Sequence, residues 1–308
     1  MAFAYHNVGV RCLEVLLAHD VDVPLVITHA DDPAEAIWFS SVAERAAAHR
    51  LPCMAPGDAN ASDVVQRVAG LEPDFLFSFY YRRMLKPPLL ALPRRGALNV
   101  HGSLLPKYRG RAPVNWAVLH GERETGATLH YMAEKPDAGD IVAQCAVPIL
   151  PDDTAREVFD KVTVAAEITL DRAMPELLAG TAPRVPQDAA QATYFGGRRP
   201  ADGVIDWSRD ARTVHNLVRA VAPPYPGAFT TVAGVAARVL RSRVLDVTTP
   251  PTLAPTLHVA GDRLHAHCGG GGTLELVAME LDGRLADARA LAARFGTAPV
   301  LLGSGGAA

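Results

Sequence analysis

Leu98-Asn99-Val100-His101-Gly102-Ser103-Leu104-Leu105-Pro106-Lys107-Tyr108-Arg109-Gly110 is the stretch from which the rest of the chain can be placed. Residues 98–101 have the pattern of the end of a short buried strand. Gly102 and Ser103 turn the chain, and Pro106 forbids the strand from continuing. Alternate residues of a strand share a face, so Asn99 and His101 point the same way. An amide and an imidazole therefore emerge side by side at the carboxyl end of a strand, where open α/β sheets bind ligands. The amide can donate to a developing oxyanion, and the imidazole can move a proton near neutral pH. On these two residues alone, a satisfied core histidine and a turn-forming asparagine is the better interpretation.

Upstream, residues 3–5 form a short first strand, clipped by the nearness of Met1 and followed by a loop at 6–9 and a helix over 13–18. Residues 23–28 are apolar except at their end, as expected of a strand covered by helices on both faces. A loop at 29–33, an alanine-rich helix at 37–49, a short strand at 52–55 and a helix at 61–70 follow. Residues 75–79 form another buried strand, and a helix around 87–92 leads back to 98–101. Strand and helix alternate, which implies a doubly wound parallel sheet, Rossmann-like in class. After the first strand stands Asn7-Val8-Gly9-Val10 rather than G-x-G-x-x-G. That argues against a nicotinamide dehydrogenase, the alternative chemistry for such a sheet.

Downstream, residues 127–132 and 139–150 can pair as antiparallel strands joined by 135–139. Asp152, Asp153 or Thr154 can cap a long helix running to about 178. The proline- and glycine-rich stretch 182–200 marks a domain boundary, so a catalytic domain is expected over 1–183 and a linker over 184–201. Ile205-Asp206-Trp207 precedes a helix over 210–221, which Pro223 and Pro224 terminate. Short alternating strands at 237–242, 257–259 and 273–278 predict a small β-barrel over 202–302, with a disordered tail at 303–308. Gly269 to Gly272 lack the lysine and hydroxyl residue of a phosphate loop, so a flexible hairpin turn is expected.

A chain of 308 residues with 49% hydrophobic and 20% charged residues is an ordinary globular composition. The formal net charge of −3 gives no support to a large nucleic-acid footprint. No apolar run is long enough to span a membrane, and Tyr5 and His6 arrive too early for a signal peptide, so a cytoplasmic location is expected. Cys12, Cys53, Cys145 and Cys268 have no C-x-x-C spacing and suit small buried hydrophobes. His265 and His267 beside Cys268 match one face of a strand with no neighbouring carboxylate. Catalytic zinc needs three convergent ligands, so no metal is expected.

Residues 99–113, Asn-Val-His-Gly-Ser-Leu-Leu-Pro-Lys-Tyr-Arg-Gly-Arg-Ala-Pro, resemble the signature of the formyltransferases that use 10-formyltetrahydrofolate. The family's second signature stands here as Asp137-Ala138-Gly139. Further similar segments are Phe3-Ala4-Tyr5-His6, Thr28-His29, Phe77-Ser78-Phe79-Tyr80-Tyr81-Arg82 and Pro226-Gly227-Ala228-Phe229, so the resemblance spans Phe3 to about Leu302. It implies a formyltransferase domain followed by a small, OB-like open barrel. Within the family the similarity is greatest to the branch that formylates UDP-4-amino-4-deoxy-L-arabinose for lipid A modification and polymyxin resistance. That activity usually occupies the amino-terminal domain of a bifunctional enzyme. The 308 residues leave no room for its decarboxylating dehydrogenase, which is expected on a separate chain or in a missing part. Homo-oligomerisation or association with such a separate dehydrogenase is the expected partnership.

The resemblance places the family's catalytic residues on Asn99, His101 and Asp137. Asn99 suits oxyanion donation, His101 proton transfer, and Asp137 stabilisation of the imidazolium. Folate contacts are implied at Arg83, Met84 and Leu85, at Arg111, and at Ala133, Glu134, Lys135, Pro136 and Asp137, with no metal and no NAD. Ser103 and Arg109 either line the site or fix the loop that carries it. Tyr5, His6, Trp38, Tyr80 and Tyr81 are candidates for contacts to a nucleotide sugar, although aromatic residues at strand ends are more often core or rim. The sister activity on methionyl-tRNA is the alternative and should require a basic loop after the second strand. Here that region is Asp31-Asp32-Pro33-Ala34-Glu35-Ala36-Ile37-Trp38-Phe39-Ser40, acidic and aromatic. A folded but inactive relative is the third possibility, disfavoured because all three catalytic positions are filled.

Overall fold

Five short apolar segments pair in parallel: β1 (Ala2–Ala4), β2 (Val26–Ile27), β3 (Cys53–Met54), β4 (Phe75–Phe79) and β5 (Gly96–His101). The computed structural model describes residues 1–33 and 35–304. After a two-residue strand, β6 (Arg109–Gly110), the chain enters β7 (Glu124–Tyr131) and β8 (Ile141–Pro148). These two run antiparallel to their neighbours and complete a seven-stranded sheet of order β3-β2-β1-β4-β5-β7-β8. The direction of strand addition reverses between β1 and β4, the crevice where doubly wound sheets bind ligands.

The first helices in chain order are α1 (His6–Ala18), α2 (Val42–Ala48), α3 (Ser62–Gly70), α4 (Pro87–Leu90), α5 (Pro113–Leu119) and α6 (Ala155–Ala179). Phe3, Ile27, Leu76 and Ala97 on one sheet face pack with Val64 and Val68 of α3 and Leu89 of α4. Apolar residues of α6 recur at helical spacing, among them Val158, Val162, Ala166, Leu170, Ala173 and Leu177, and are buried. Thr154 and Glu157 form a reciprocal capping box at its start, with Thr154 N donating to Glu157 Oε2 (2.7 Å).

Two compact units emerge. One comprises Met1–Pro113, Glu124–Pro148 and Phe159–Phe195, and the other Val114–Arg123, Ile149–Val158 and the residues from Gly196 on. In the first unit, β9 (Tyr194–Phe195) pairs in parallel with β6. The second contains α7 (Ala211–Val221), whose Asp210 cap accepts from the backbone of Arg212 and Thr213 (both 3.0 Å). It continues through β10 (Ala228–Val232), β11 (Val235–Asp246), β12 (Thr256–Ala260), β13 (Arg263–His267), β14 (Thr273–Leu281), β15 (Arg284–Leu285), α8 (Ala288–Phe295) and β16 (Val300–Ser304). Pairing runs β11-β10-β16-β12-β13-β14, and β14 pairs again with β11. The antiparallel ring is therefore closed by hydrogen bonds, where the resemblance implies an open barrel. Trp207, Val239, Leu257, Ala266 and Leu274 lie in its core.

Several expectations are corrected. Helix α1 starts at His6 rather than after a loop. Gly9 weakens helix propensity but fits a place where a Cβ would meet Ala4 at 3.1 Å, so packing on β1 outweighs propensity. Helix α2 starts only at Val42, capped by Ser41. Helices α5 and α8 were not foreseen. The Gly269–Gly272 turn is not loose: Gly269 N donates to Trp207 O (2.7 Å), Gly270 N to Arg209 O (3.1 Å), and Gly271 O accepts from Ala211 N (2.9 Å). Gly303 and Ser304, expected in the tail, belong to β16, while residues 305–308 lie outside the described residues. Cys268 is buried in the barrel core; alternation along β13 turns His265 and His267 to the opposite face, so the three do not converge. Among the described residues no group of three His, Cys, Asp or Glu is arranged to hold a metal ion, and no helix is long and apolar enough to cross a membrane.

Candidate active site

The antiparallel register of β5 and β7 sets Asn99 opposite His130 and His101 opposite Thr128. Four polar side chains of a mostly buried strand pair thus share one face at the carboxyl end of β5. Asp137 reaches them from the turn after β7, where it has φ 55°, the left-handed region that non-glycine residues seldom adopt. Its Oδ1 lies 3.6 Å from His101 Nδ1 and 3.7 Å from His130 Nε2. Its Oδ2 accepts from Gly110 N (2.8 Å).

Backbone carbonyls fix both imidazoles. His101 Nε2 donates to Tyr108 O (2.7 Å), so its Nδ1 is the nitrogen that faces Asp137 and can gain or lose a proton. His130 Nδ1 donates to Tyr131 O (2.8 Å), and its Nε2 lies 3.2 Å from Asn99 Nδ2. Burial pushes the His130 imidazole down to about 4, with the opposing attraction of Asp137 unable to compensate. At neutral pH His130 is uncharged and accepts from the Asn99 amide.

The loop between β5 and β6 is held from below. Thr128 Oγ1 donates to Ser103 O (2.6 Å) and accepts from Leu105 N (3.1 Å) and Gln144 Nε2 (2.8 Å). Ser103 is buried and donates to Lys107 O (2.7 Å). Arg109 donates twice to Gln187 Oε1 (3.1 and 2.7 Å), and Gln187 Nε2 donates to the carbonyls of Asp137 (2.9 Å) and Gly139 (2.7 Å). Ser103 and Arg109 thus fix the loops that carry the site.

Of the residues expected to meet folate, Leu85 is buried in the core with Phe3 and Leu89. Arg83 and Met84 are exposed, and Asn60 clamps their segment by donating to Met84 O (3.0 Å) and accepting from Lys86 N (2.7 Å). Ala133, Glu134 and Lys135 are exposed, with Pro136 and Asp137 half-buried behind them. Arg111 is exposed, its N–H donating to Phe195 O (2.9 Å).

The aromatic candidates come together around the ends of β1 and β4. The His6 ring lies among Phe39, Trp38, Phe159 and Tyr80, with centroids 4.0, 4.5, 4.8 and 5.1 Å away. Tyr81 stacks on His29 at 4.1 Å. Tyr5 and His6 are buried, so their rings build this wall, while Tyr80 is partly open to solvent. Arg82 forms a two-pronged ion pair with Glu35 (2.6 and 2.8 Å) over the Tyr5 ring, and Tyr5 OH donates to Asp31 Oδ1 (2.8 Å). The loop's acidic character is therefore partly compensated within the wall.

Comparison with known families assigns residues 14–174 to the formyl transferase model and residues 198–296 to the formyl transferase C-terminal domain. The chain belongs to the formyl transferase family. This formyl transferase also shares its fold with solved relatives at low identity. An N-formyltransferase from Helicobacter canadensis, solved with folinic acid and dTDP-3-aminofucose, is 20% identical with a TM-score of 0.69, covering 89% of this chain and 97% of its own. WlaRD, a sugar 3N-formyl transferase solved with dTDP and 5-N-formyl-THF, is 17% identical with a TM-score of 0.71, covering 92% and 97%. HypX from Aquifex aeolicus in complex with tetrahydrofolic acid is 18% identical with a TM-score of 0.62, covering 94% of this chain and 46% of its own.

The sequence reading missed His130, Thr128 and Gln187. For the first two a signal existed. Thr128 and His130 are alternate polar residues in the apolar run Ala127-Thr128-Leu129-His130, repeating the spacing of Asn99 and His101. Gln187 sits in an irregular segment with no period to mark it.

Proposed function

We propose that this protein transfers the formyl group of 10-formyltetrahydrofolate to the 4-amino group of UDP-4-amino-4-deoxy-L-arabinose. The observation that carries the chemistry is the convergence of Asn99, His101 and Asp137 in a chain of the formyl transferase family. The attacking amine must lose a proton, and negative charge grows on the formyl oxygen. Nδ1 of His101 is placed to take that proton, since its Nε2–H is committed to Tyr108 O. Asp137 at 3.6 Å then faces the newly charged ring. Collapse of the tetrahedral intermediate breaks the bond from the formyl carbon to the folate nitrogen, which leaves after taking that proton back from His101. Asn99 gives one amide N–H to His130 and keeps a second for the formyl oxygen.

The donor would lie against the segment Arg83, Met84 and Leu85, the turn from Ala133 to Asp137, and Arg111, which together would hold a flat pterin and an anionic tail. The acceptor assignment is supported by the similarity over the signature segments, by the aromatic wall at the switch point, and by neighbours solved with amino-sugar nucleotides or their nucleotide. Such an enzyme would supply the formamido sugar for lipid A modification.

The test offers 10-formyltetrahydrofolate with UDP-4-amino-4-deoxy-L-arabinose, a dTDP-amino sugar and charged initiator methionyl-tRNA in parallel. Turnover of the UDP sugar, reduced on the order of 10² to 10⁴ by His101→Ala, is the expected result. Preference for the dTDP sugar would replace the acceptor but keep formyl transfer to an amino sugar. Turnover of the tRNA alone would overturn the acceptor class.

A further inference from the structure

A carboxamide has two faces of nearly equal shape and opposite chemistry: Nδ2 donates and Oδ1 accepts. Only one of the two orientations of Asn99 can serve a reaction that builds negative charge on the substrate. The selection is made by His130. Tyr131 O can only accept, so the His130 nitrogen 2.8 Å away, Nδ1, carries the ring's proton. A neutral imidazole has one N–H, and Nε2 is then a lone pair, 3.2 Å from Asn99 Nδ2. Rotating the amide by half a turn would set Oδ1 against that lone pair, acceptor to acceptor, in a buried place.

The carboxylate makes the same demand. Asp137 Oδ1 is almost equidistant from His101 Nδ1 and His130 Nε2. A proton on His130 Nε2 would draw the carboxylate to His130, repel the Asn99 amide hydrogens and leave His101 without its partner. The neutral state of His130, favoured by its burial, prevents all three.

We propose that His130 is a positioning residue for formyl transfer: as the Nδ1–H tautomer it locks the Asn99 carboxamide with one Nδ2–H on its own Nε2 and the other left for the substrate oxygen. The inference rests on the formyl-transfer reading of this site. His130 itself does not touch the reacting atoms and acts through Asn99.

The decisive experiment is a double-mutant cycle with ring-nitrogen NMR beside it. His130→Phe keeps the size of the ring and removes the acceptor. It should lower kcat on the order of 10 to 10² with KM for both substrates little changed. His130→Gln, whose Oε1 can accept from Asn99, should recover most of that loss. In the Asn99→Ala background His130→Phe should cost little further, because the group it positions is gone. Full additivity, or a Gln variant that folds to the same Tm yet is as slow as Phe, would overturn the inference. Independently of turnover, ¹⁵N spectra of the wild-type enzyme should show His130 as the neutral Nδ1–H tautomer, and an Nε2–H tautomer would sink it. A wild type that forms no formamide on any acceptor would refute the functional reading, whereas the tautomer measurement still judges the lock.

Discussion

Replacing Thr128 by valine isolates the hydroxyl on which the catalytic loop rests. The side chain is fully buried, and valine nearly matches its volume, so no cavity opens. The change removes the donor to Ser103 O (2.6 Å) and the acceptor for Leu105 N (3.1 Å) and Gln144 Nε2 (2.8 Å). Ser103 O and Leu105 N are left without this partner at about 1–3 kcal/mol each, which sets about 2 kcal/mol as the low end, whereas Gln144 is exposed and keeps its bond to Leu105 O (2.9 Å). That is a large part of the ~5–15 kcal/mol by which a domain is stable. Thr128→Ser is the control: it keeps the network and loses one methyl, worth about 1 kcal/mol. Urea unfolding measures the difference between the two variants, and hydrogen exchange at the Leu105 amide reports whether the damage is local. Because the same loop carries Tyr108 O, which fixes the His101 tautomer, kcat of the valine variant should fall on the order of tenfold or more. If Thr128→Val were as stable as Thr128→Ser and as fast as the wild type, the loop would not depend on this hydroxyl.

Gly139→Ala should cripple the site more than the fold, because a Cβ there would lie 1.9 Å from Tyr131 O and must push the Asp137 turn outward; a kcat near wild type at unchanged Tm would contradict this. Stability should also carry an acid limb from His130. Its folded pKa of about 4 lies below the unfolded value of about 6.5, so the unfolded chain gains a proton first as pH falls. Stability is therefore full above pH ~6.5, is lost as pH drops towards 4, and levels off below, with a slope of at most about 1.4 kcal/mol per pH unit. Between pH 7 and 5 the wild type should lose up to about 2 kcal/mol more than His130→Phe in urea titrations, and parallel losses would refute the assignment.

The fold was legible wherever burial imposed a period. The span 75–79 coincides with β4, and the alternation of strand and helix up to His101 gave the parallel sheet its class. It was not legible where a tertiary contact decided the outcome. Nothing local in residues 37–41 forbids a helix. They stay out of one because Trp38 and Phe39 pack on His6 and Ser40 N donates to Asn7 Oδ1 (2.8 Å). Closure of the barrel depends on the pairing of β11 with β14, whose register shifts at three places, and no short window of sequence contains that. In the site, Asn99 and His101 could be paired by alternation within one strand. His130 required the register of a second strand, and Gln187 required a contact across 48 to 50 residues to the Asp137 turn.

The two histidines differ in burial and in what they face, and this assigns their tasks. Each is anchored by a backbone carbonyl, His101 through Nε2 and His130 through Nδ1, so each turns its other nitrogen towards one carboxylate oxygen. One carboxylate cannot balance two imidazolium ions a few ångströms apart, and burial already disfavours charge on His130. Proton transfer therefore falls to the other ring, whose Nδ1 faces Asp137 at 3.6 Å. His130 remains an acceptor, and the amide it faces remains a donor. Burial of His130 beside the Asn99 amide thus separates oxyanion stabilisation from proton transfer at His101, while the carbonyls of Tyr108 and Tyr131 hold the two rings in place.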